Sequence, residues 1–284
     1  METDWECIVI GGGVAGLSAA LALGRARRRT LVLDRGGQSN RPAAHVGGLL
    51  GQDGTAPGDL YDRAREQLAR YDTVVIGDAE AVDARGEGDG FAVLLANGGH
   101  ELRSHTLVLA TGMDYEVPDV PGFSEHWGGA VFHCPFCHGW EVRDRPLVVY
   151  GEGTVAEQQA ALLRGWSRDV TMVATGDVAG LRVDDGTLRA VVLRDGSEVA
   201  CEGVLVHAPL RRRGRLPERL GLALTESGLV AVDALARTSI PGVYAAGDLA
   251  VAPQQVALAL GSGHLAGVAA TRELLLGRST TVPT

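Results

Sequence analysis

The chain has 284 residues, 45% of them hydrophobic and 21% charged, with 40 glycines and a formal net charge of −9. That length is enough for two domains with separate cores, and that acidity excludes general binding to nucleic acid or to an anionic membrane surface. Four cysteines are too few for a secreted disulfide framework, so the expected compartment is the reducing cytoplasm.

The acidic opening, Met1 to Glu6, has no basic and apolar leader pattern. It runs into a strand-like stretch, Cys7 to Ile10. A glycine turn follows, Gly11-x-Gly13-x-x-Gly16, then a helix pattern over Val14–Leu23 and a second strand from Thr30 to Leu33 that stops at Asp34. A strand, glycine turn, helix, strand and terminal acid in this order predict a dinucleotide site. The glycines admit the pyrophosphate to a helix N-terminus, and the acid accepts the adenosine ribose hydroxyls. A helix is predicted over Pro57–Tyr71, with strands at Val74–Ile76, Phe91–Leu95 and Thr106–Ala110, and Pro118 and Pro121 mark a crossover. A second nucleotide-type unit starts with a strand over Pro146–Tyr150. It continues through Gly151-x-Gly153-x-x-Ala156, a helix over Glu157–Trp166 and a strand over Asp169–Val173. A short strand ends at Gly247 and Asp248, and a last helix is predicted from Pro253 to Leu276. No apolar run reaches the roughly 18 residues that span a bilayer, and no metal-ligand pattern stands out. Cys7 and Cys201 fall in strand-like stretches and read as small buried hydrophobes. The basic clusters at Arg25–Arg29 and Arg211–Arg215 read as solvated faces.

Between the two fingerprints lies Cys134-Pro135-Phe136-Cys137-His138. Two thiols at this spacing can close a small disulfide, and beside a flavin they can pass an electron pair on. An ordinary imidazole is a better base at neutral pH than a carboxylate, so His138 is the candidate base for a dithiol. It could equally stabilise a cysteine thiolate as imidazolium. His133 reads as structural.

The first fingerprint, Ala110-Thr111-Gly112, the CxxC and the late Gly247-Asp248 together resemble low-molecular-weight thioredoxin reductases over nearly the whole chain. The resemblance implies an α/β fold of two Rossmann-like, three-layer ββα nucleotide-binding domains. Residues 1–114 and 242–284 would form a discontinuous FAD domain, and 115–241 an inserted NAD(P)-binding-like domain carrying the cysteines. Position by position, Gly11, Gly13, Val14, Ala15 and Gly16 would cradle the FAD pyrophosphate and Asp34 would hold the ribose. Gln38 and His45 would come near the flavin, with Ala110 lining the cofactor and Asp248 holding the ribityl chain. Gln255 and Val256 would touch the flavin from the start of the last helix. A homodimer is the family expectation.

Two departures bear on direction. Where NADPH-using reductases are similar in carrying a basic cluster, this chain reads Val173 to Asp177 with no positive charge, which makes NADPH binding doubtful because a 2′-phosphate needs Arg or Lys. The string from Cys134 to Glu141 is also most similar to the flavin-dependent dithiol oxidases that close the disulfides of gliotoxin, holomycin and romidepsin, the holomycin-type bacterial enzyme above all. That resemblance implies a small-molecule dithiol substrate and O2 as the acceptor that yields H2O2, in a dithiolopyrrolone-like pathway. In that scheme a substrate thiolate attacks Cys134, the outer sulfur, and Cys137 hands the electrons to the flavin. The alternatives are a thioredoxin-type disulfide reductase fed by NADPH or another donor, and a flavin redox sensor without turnover.

Overall fold

In the computed structural model, which describes residues 5–96 and 99–277, the chain opens with β1 (Trp5–Ile10), whose last four residues are buried. Residues 1–4 of the acidic opening and 278–284 of the expected FAD domain lie outside the described residues. At Gly11 the backbone turns with φ +114°, and a Cβ there would enter the Ala110 carbonyl. Helix α1 (Val14–Arg25) is rich in alanine and leucine, the best helix formers. The fully buried β2 (Thr30–Asp34) then lies parallel to β1.

After α2 (Pro57–Leu68) and β3 (Val74–Asp78) come β4 (Ala81–Glu87), β5 (Gly90–Leu95) and β6 (Glu101–Leu109). The sheet order is β3-β2-β1-β6-β5-β4, and a late short strand, Val243–Ala245, also pairs with β6. The N-terminal half of β6 pairs antiparallel with β5, while its C-terminal half pairs parallel with the late strand. One long strand thus joins a parallel layer to a three-stranded meander. The helical layer is α1 against the last helix, Val256–Leu276. A Cβ at Gly263 would collide with the Ala15 carbonyl, and one at Gly267 with that of Ala19. Glycines facing alanines bring the two helix backbones into contact and close a core around Val9, Leu23, Val32, Val108 and Tyr244.

Strand β7 (Met113–Tyr115) leads to a second parallel sheet built from β8 (Val131–Phe132), β9 (Leu147–Tyr150), β10 (Val170–Val173) and a strand over Gly203–Val206. Side-chain alternation along β9 makes two cores. Leu147 and Val149 pack with Phe132, Ala156, Ala160 and Leu163, whereas Val148 packs with Phe123, Val173 and Val191. Ala156, Ala160 and Leu163 come from the helix over Gly153–Leu163, which starts earlier than predicted. A three-stranded antiparallel sheet, Val178–Asp184, Thr187–Leu193 and Glu198–Ala200, covers the other face.

Two compact units result: Met1–Gln38, Gly58–Asp114 and Arg212–Thr284 form one, Ser39–Pro57 and Tyr115–Arg211 the other. Residues 212–241, expected with the inserted domain, therefore sit in the first unit. Val230 N–H donates to Leu249 O (2.9 Å), Ala245 N–H donates to Ala236 O (3.1 Å), and Ala236 is part of the first unit's core. Residues 39–57 belong to the second unit because the loop packs on the CxxC segment. A Cβ at Gly47 would strike the Cys137 carbonyl. No helix among the described residues is long and apolar enough to cross a membrane.

Candidate active site

In the first unit the expected cofactor residues converge at the C-terminal ends of β1, β2 and β6. Gly13 is the N-cap of α1 and makes no side-chain cap, so the first-turn N–H groups of Val14, Ala15 and Gly16 keep no intrahelical acceptor. Asp34 is buried at the end of β2. Its carboxylate accepts from Gly36 N–H (2.8 Å), from Gln38 Nε2 (3.2 Å) and from Arg65. Arg65 comes from α2 and was not singled out by the sequence, because nothing local marks a residue 31 positions away as a partner. Gln38 also donates to Gly12 O (3.3 Å), so it braces the glycine turn against the acid.

At the end of β6, Ala110 is buried and Thr111 Oγ1 is buried with no hydrogen-bond partner. On the neighbouring strand's exit stands Asp248, half-buried, its carboxyl pushed up to about 6 by burial against the opposing pull of Arg213. Arg213 donates to Asp114 Oδ1 (2.6 Å), so this member of the basic cluster is structural rather than solvated. Gln255 caps the last helix and Val256 begins it. A bare helix start, an orphaned buried hydroxyl and a desolvated carboxyl fit a ligand that brings phosphates and hydroxyls, as FAD does.

The redox residues lie in the second unit. Cys134 and Cys137 are joined by a disulfide. The segment forms a single helical turn, Pro135–His138, with Cys134 as its N-cap and Cys134 O accepting from the N–H groups of Cys137 (3.1 Å) and His138 (3.2 Å). One turn carries too little aligned dipole to matter for the thiols. Cys134 is buried and Cys137 half-buried. Both ring nitrogens of His138 are buried without a hydrogen bond of normal geometry, and its ring stacks on Phe132 at 5.7 Å. Burial holds its pKa below the ordinary value, assisted by His45; Glu141 and the carbonyls of Gly128 and Cys134 pull the other way. His138 is therefore a neutral imidazole with free lone-pair capacity. His133 stacks between Tyr115 (4.1 Å) and Trp127 (5.5 Å), and burial first, then His138, takes it down to about 4.

His45, expected near the flavin, is placed in this second cluster. Its Nε2 lies 3.1 Å from Glu141 Oε1 at an angle outside hydrogen-bond geometry, and its ring is 6.4 Å from that of His138. Glu141 ends the segment that begins at Cys134, but only folding reveals its partner. Cys7 and Cys201 are buried, their thiols pushed up to about 12 by desolvation, and take no part.

The second fingerprint forms a strand, turn and helix, with Gly153 at φ +70°. Glu152 stands inside the turn and accepts from Thr175 Oγ1 (3.0 Å), placing a carboxylate at the phosphate loop. Arg182 is engaged by Asp184 and by Glu198 (2.9 Å). A cation that the sequence did not reveal, Arg194, reaches the segment after β10, its Nε donating to Gly176 O (2.9 Å).

The sequence pattern of the pyridine nucleotide-disulphide oxidoreductases matches residues 5–186 and 177–263. The chain belongs to that family. Among relatives of this oxidoreductase, thioredoxin reductase tcpT of Claviceps purpurea (strain 20.1) is 32% identical, over 95% of this chain and 94% of that one. Thioredoxin reductase aclD of Aspergillus oryzae is 31% identical, over 95% and 96%. The crystal structure of HlmI superposes with a TM-score of 0.91 at 36% identity, covering 96% of this chain and 93% of that one. An oxidoreductase from Agrobacterium tumefaciens gives 0.89 at 35%, covering 96% and 99%. The oxidoreductase thus has the two-domain thioredoxin-reductase architecture. Its family implies an FAD site and a disulfide as its redox partner.

Proposed function

We propose that this oxidoreductase is a dithiol oxidase, converting a small-molecule dithiol into an intramolecular disulfide. The reading is supported by the bonded Cys134–Cys137 pair and the adjoining His138, whose ring nitrogens make no hydrogen bond of normal geometry and whose pKa burial lowers. His138 takes the proton of an incoming thiol, since only the thiolate attacks. That thiolate opens the disulfide at one sulfur and the other sulfur leaves as thiolate. The second substrate thiol, once deprotonated, attacks the substrate sulfur held in the mixed disulfide, releasing the cyclic product and leaving both cysteines reduced. Bound FAD would supply an acceptor for the electron pair of the reduced cysteines and a route for it to O2, giving H2O2. Gly11, Gly13, Val14, Ala15, Gly16, Asp34, Ala110, Asp248, Gln255 and Val256 would hold it, with Gln38 bracing the turn. A substrate from natural-product biosynthesis, a cytoplasmic location and a homodimer belong to the same reading.

The acidic phosphate loop around Glu152 argues against a pyridine nucleotide as electron donor. Arg194 is the one observation that favours the second reading, a disulfide reductase fed by NADPH. Anaerobic mixing separates the two. A dithiol should bleach the flavin of the wild type, but neither Cys134→Ser nor Cys137→Ser, while NADPH leaves it yellow. Rapid bleaching by NADPH with none by dithiol refutes the oxidase.

A further inference from the structure

Oxidation of a dithiol by a protein disulfide breaks two substrate S–H bonds and the protein S–S bond, and yields one substrate S–S bond, two cysteine thiolates and two protons. Each substrate thiol must be deprotonated before its own attack, because the thiolate is the nucleophile. As long as both released cysteines stay thiolates, the form that gives up an electron pair, the two protons rest on neighbouring bases, and they leave in the end with that pair in H2O2. His138 can hold one. A second imidazolium close to it would be opposed by like charge unless a carboxylate were present.

The second unit supplies both groups. His45 faces His138 at 6.4 Å and carries Glu141 at 3.1 Å. The loop that bears His45 is fixed to the CxxC turn. Val46 is buried, Val46 N–H donates to Thr55 O (2.8 Å), Gly54 N–H donates to Val46 O (3.0 Å), and Gly47 abuts the Cys137 carbonyl. Glu141 leaves the same turn three residues after His138. The titratable groups acting on His138 are His45 and Glu141, with His133 on its other side.

We propose that the Glu141–His45 pair is the second proton acceptor of the redox centre, taking one thiol proton of each dithiol while His138 takes the other. Glu141 acts through His45 as a positioning residue, its charge allowing both imidazoles to be protonated at once. The inference rests on the dithiol-oxidase reading.

The test is anaerobic rapid mixing of the FAD-loaded protein with dithiothreitol at a series of pH values, following reduction of Cys134–Cys137 by quenched alkylation. FAD content serves as the control for folding. Glu141→Gln should slow reduction about tenfold or more below pH 7 and converge with the wild type above roughly pH 8.5, where a thiol ionises without help. Glu141→Asp should restore part of the rate, and His45→Gln should reproduce the pH profile of Glu141→Gln even if the latter folds poorly. An unchanged rate in Glu141→Gln and His45→Gln, or a loss equal at every pH, overturns the proposal. A wild-type pair that dithiothreitol does not reduce at any pH refutes the oxidase reading itself, and the inference with it, a result distinct from unaffected variants.

Discussion

Asp248→Asn should change the apoprotein and the FAD-loaded protein in opposite directions. In the apoprotein the Asp248 carboxyl is raised from 3.8 to about 6 by burial. A carboxyl raised in the folded state adds stability below its unfolded pKa and loses it as pH rises through the folded one. At pH 7.5 the ionised Asp248 therefore burdens the fold. The shift corresponds to about 3 kcal/mol at most, and residual exposure lowers the expected value to about 1–2 kcal/mol. Replacing it with the neutral amide should raise the apoprotein melting temperature by roughly 2–8 °C at pH 7.5, with no gain near pH 3.5, where both forms are uncharged. With FAD the sign reverses. A carboxylate that accepts ribityl hydroxyls makes charge-assisted hydrogen bonds of about 1.5–3 kcal/mol, so Asp248→Asn should weaken FAD binding by about 10- to 100-fold. Scanning calorimetry of apoprotein at the two pH values and FAD titration by fluorescence quenching give both numbers. A variant destabilised at pH 7.5, or one that binds FAD as tightly as wild type, refutes the reasoning.

Three further substitutions probe packing and charge. Gly47→Ala places a methyl against the Cys137 carbonyl; it should cost about 1–3 kcal/mol in urea unfolding and slow dithiol-dependent flavin bleaching by displacing His45. Gly263→Val forces apart α1 and the last helix at Ala15, and purified protein should lose its 450 nm flavin absorbance, because the start of α1 moves with it. Arg194→Ala should leave dithiol oxidation within about twofold of wild type, since the guanidinium bonds the segment after β10 and acts on Tyr150 rather than on the cysteine pair; a fall in NADPH-driven flavin reduction would instead support the reductase reading.

The first βαβ unit was legible because its constraints are local. A buried strand, glycines that alone fit the turn at Gly11, an alanine-rich helix and a terminal acid all sit within about 30 residues. The CxxC and His138 were legible for the same reason. The partners Arg65 for Asp34, Glu141 for His45, Asp114 for Arg213 and Gly176 for Arg194 were not, since each joins a side chain to a group remote in sequence and no periodicity encodes such a pairing. The meander strand Ala81–Glu87 and the three-stranded sheet after β10 escaped notice because charged residues, alanine and glycine interrupt their apolar pattern. Residues 39–57 look like an ordinary polar loop in sequence, and only their close approach at Gly47 reveals that they belong with the cysteines.

Under the proposed function, electrons enter through the cysteine pair and leave through the flavin. Its most direct test is the stoichiometry of aerobic turnover with dithiothreitol and no pyridine nucleotide. The account predicts one H2O2 and one cyclic disulfide for each dithiol consumed, through many cycles. Thiol loss limited to a single equivalent of enzyme, without sustained peroxide, contradicts it.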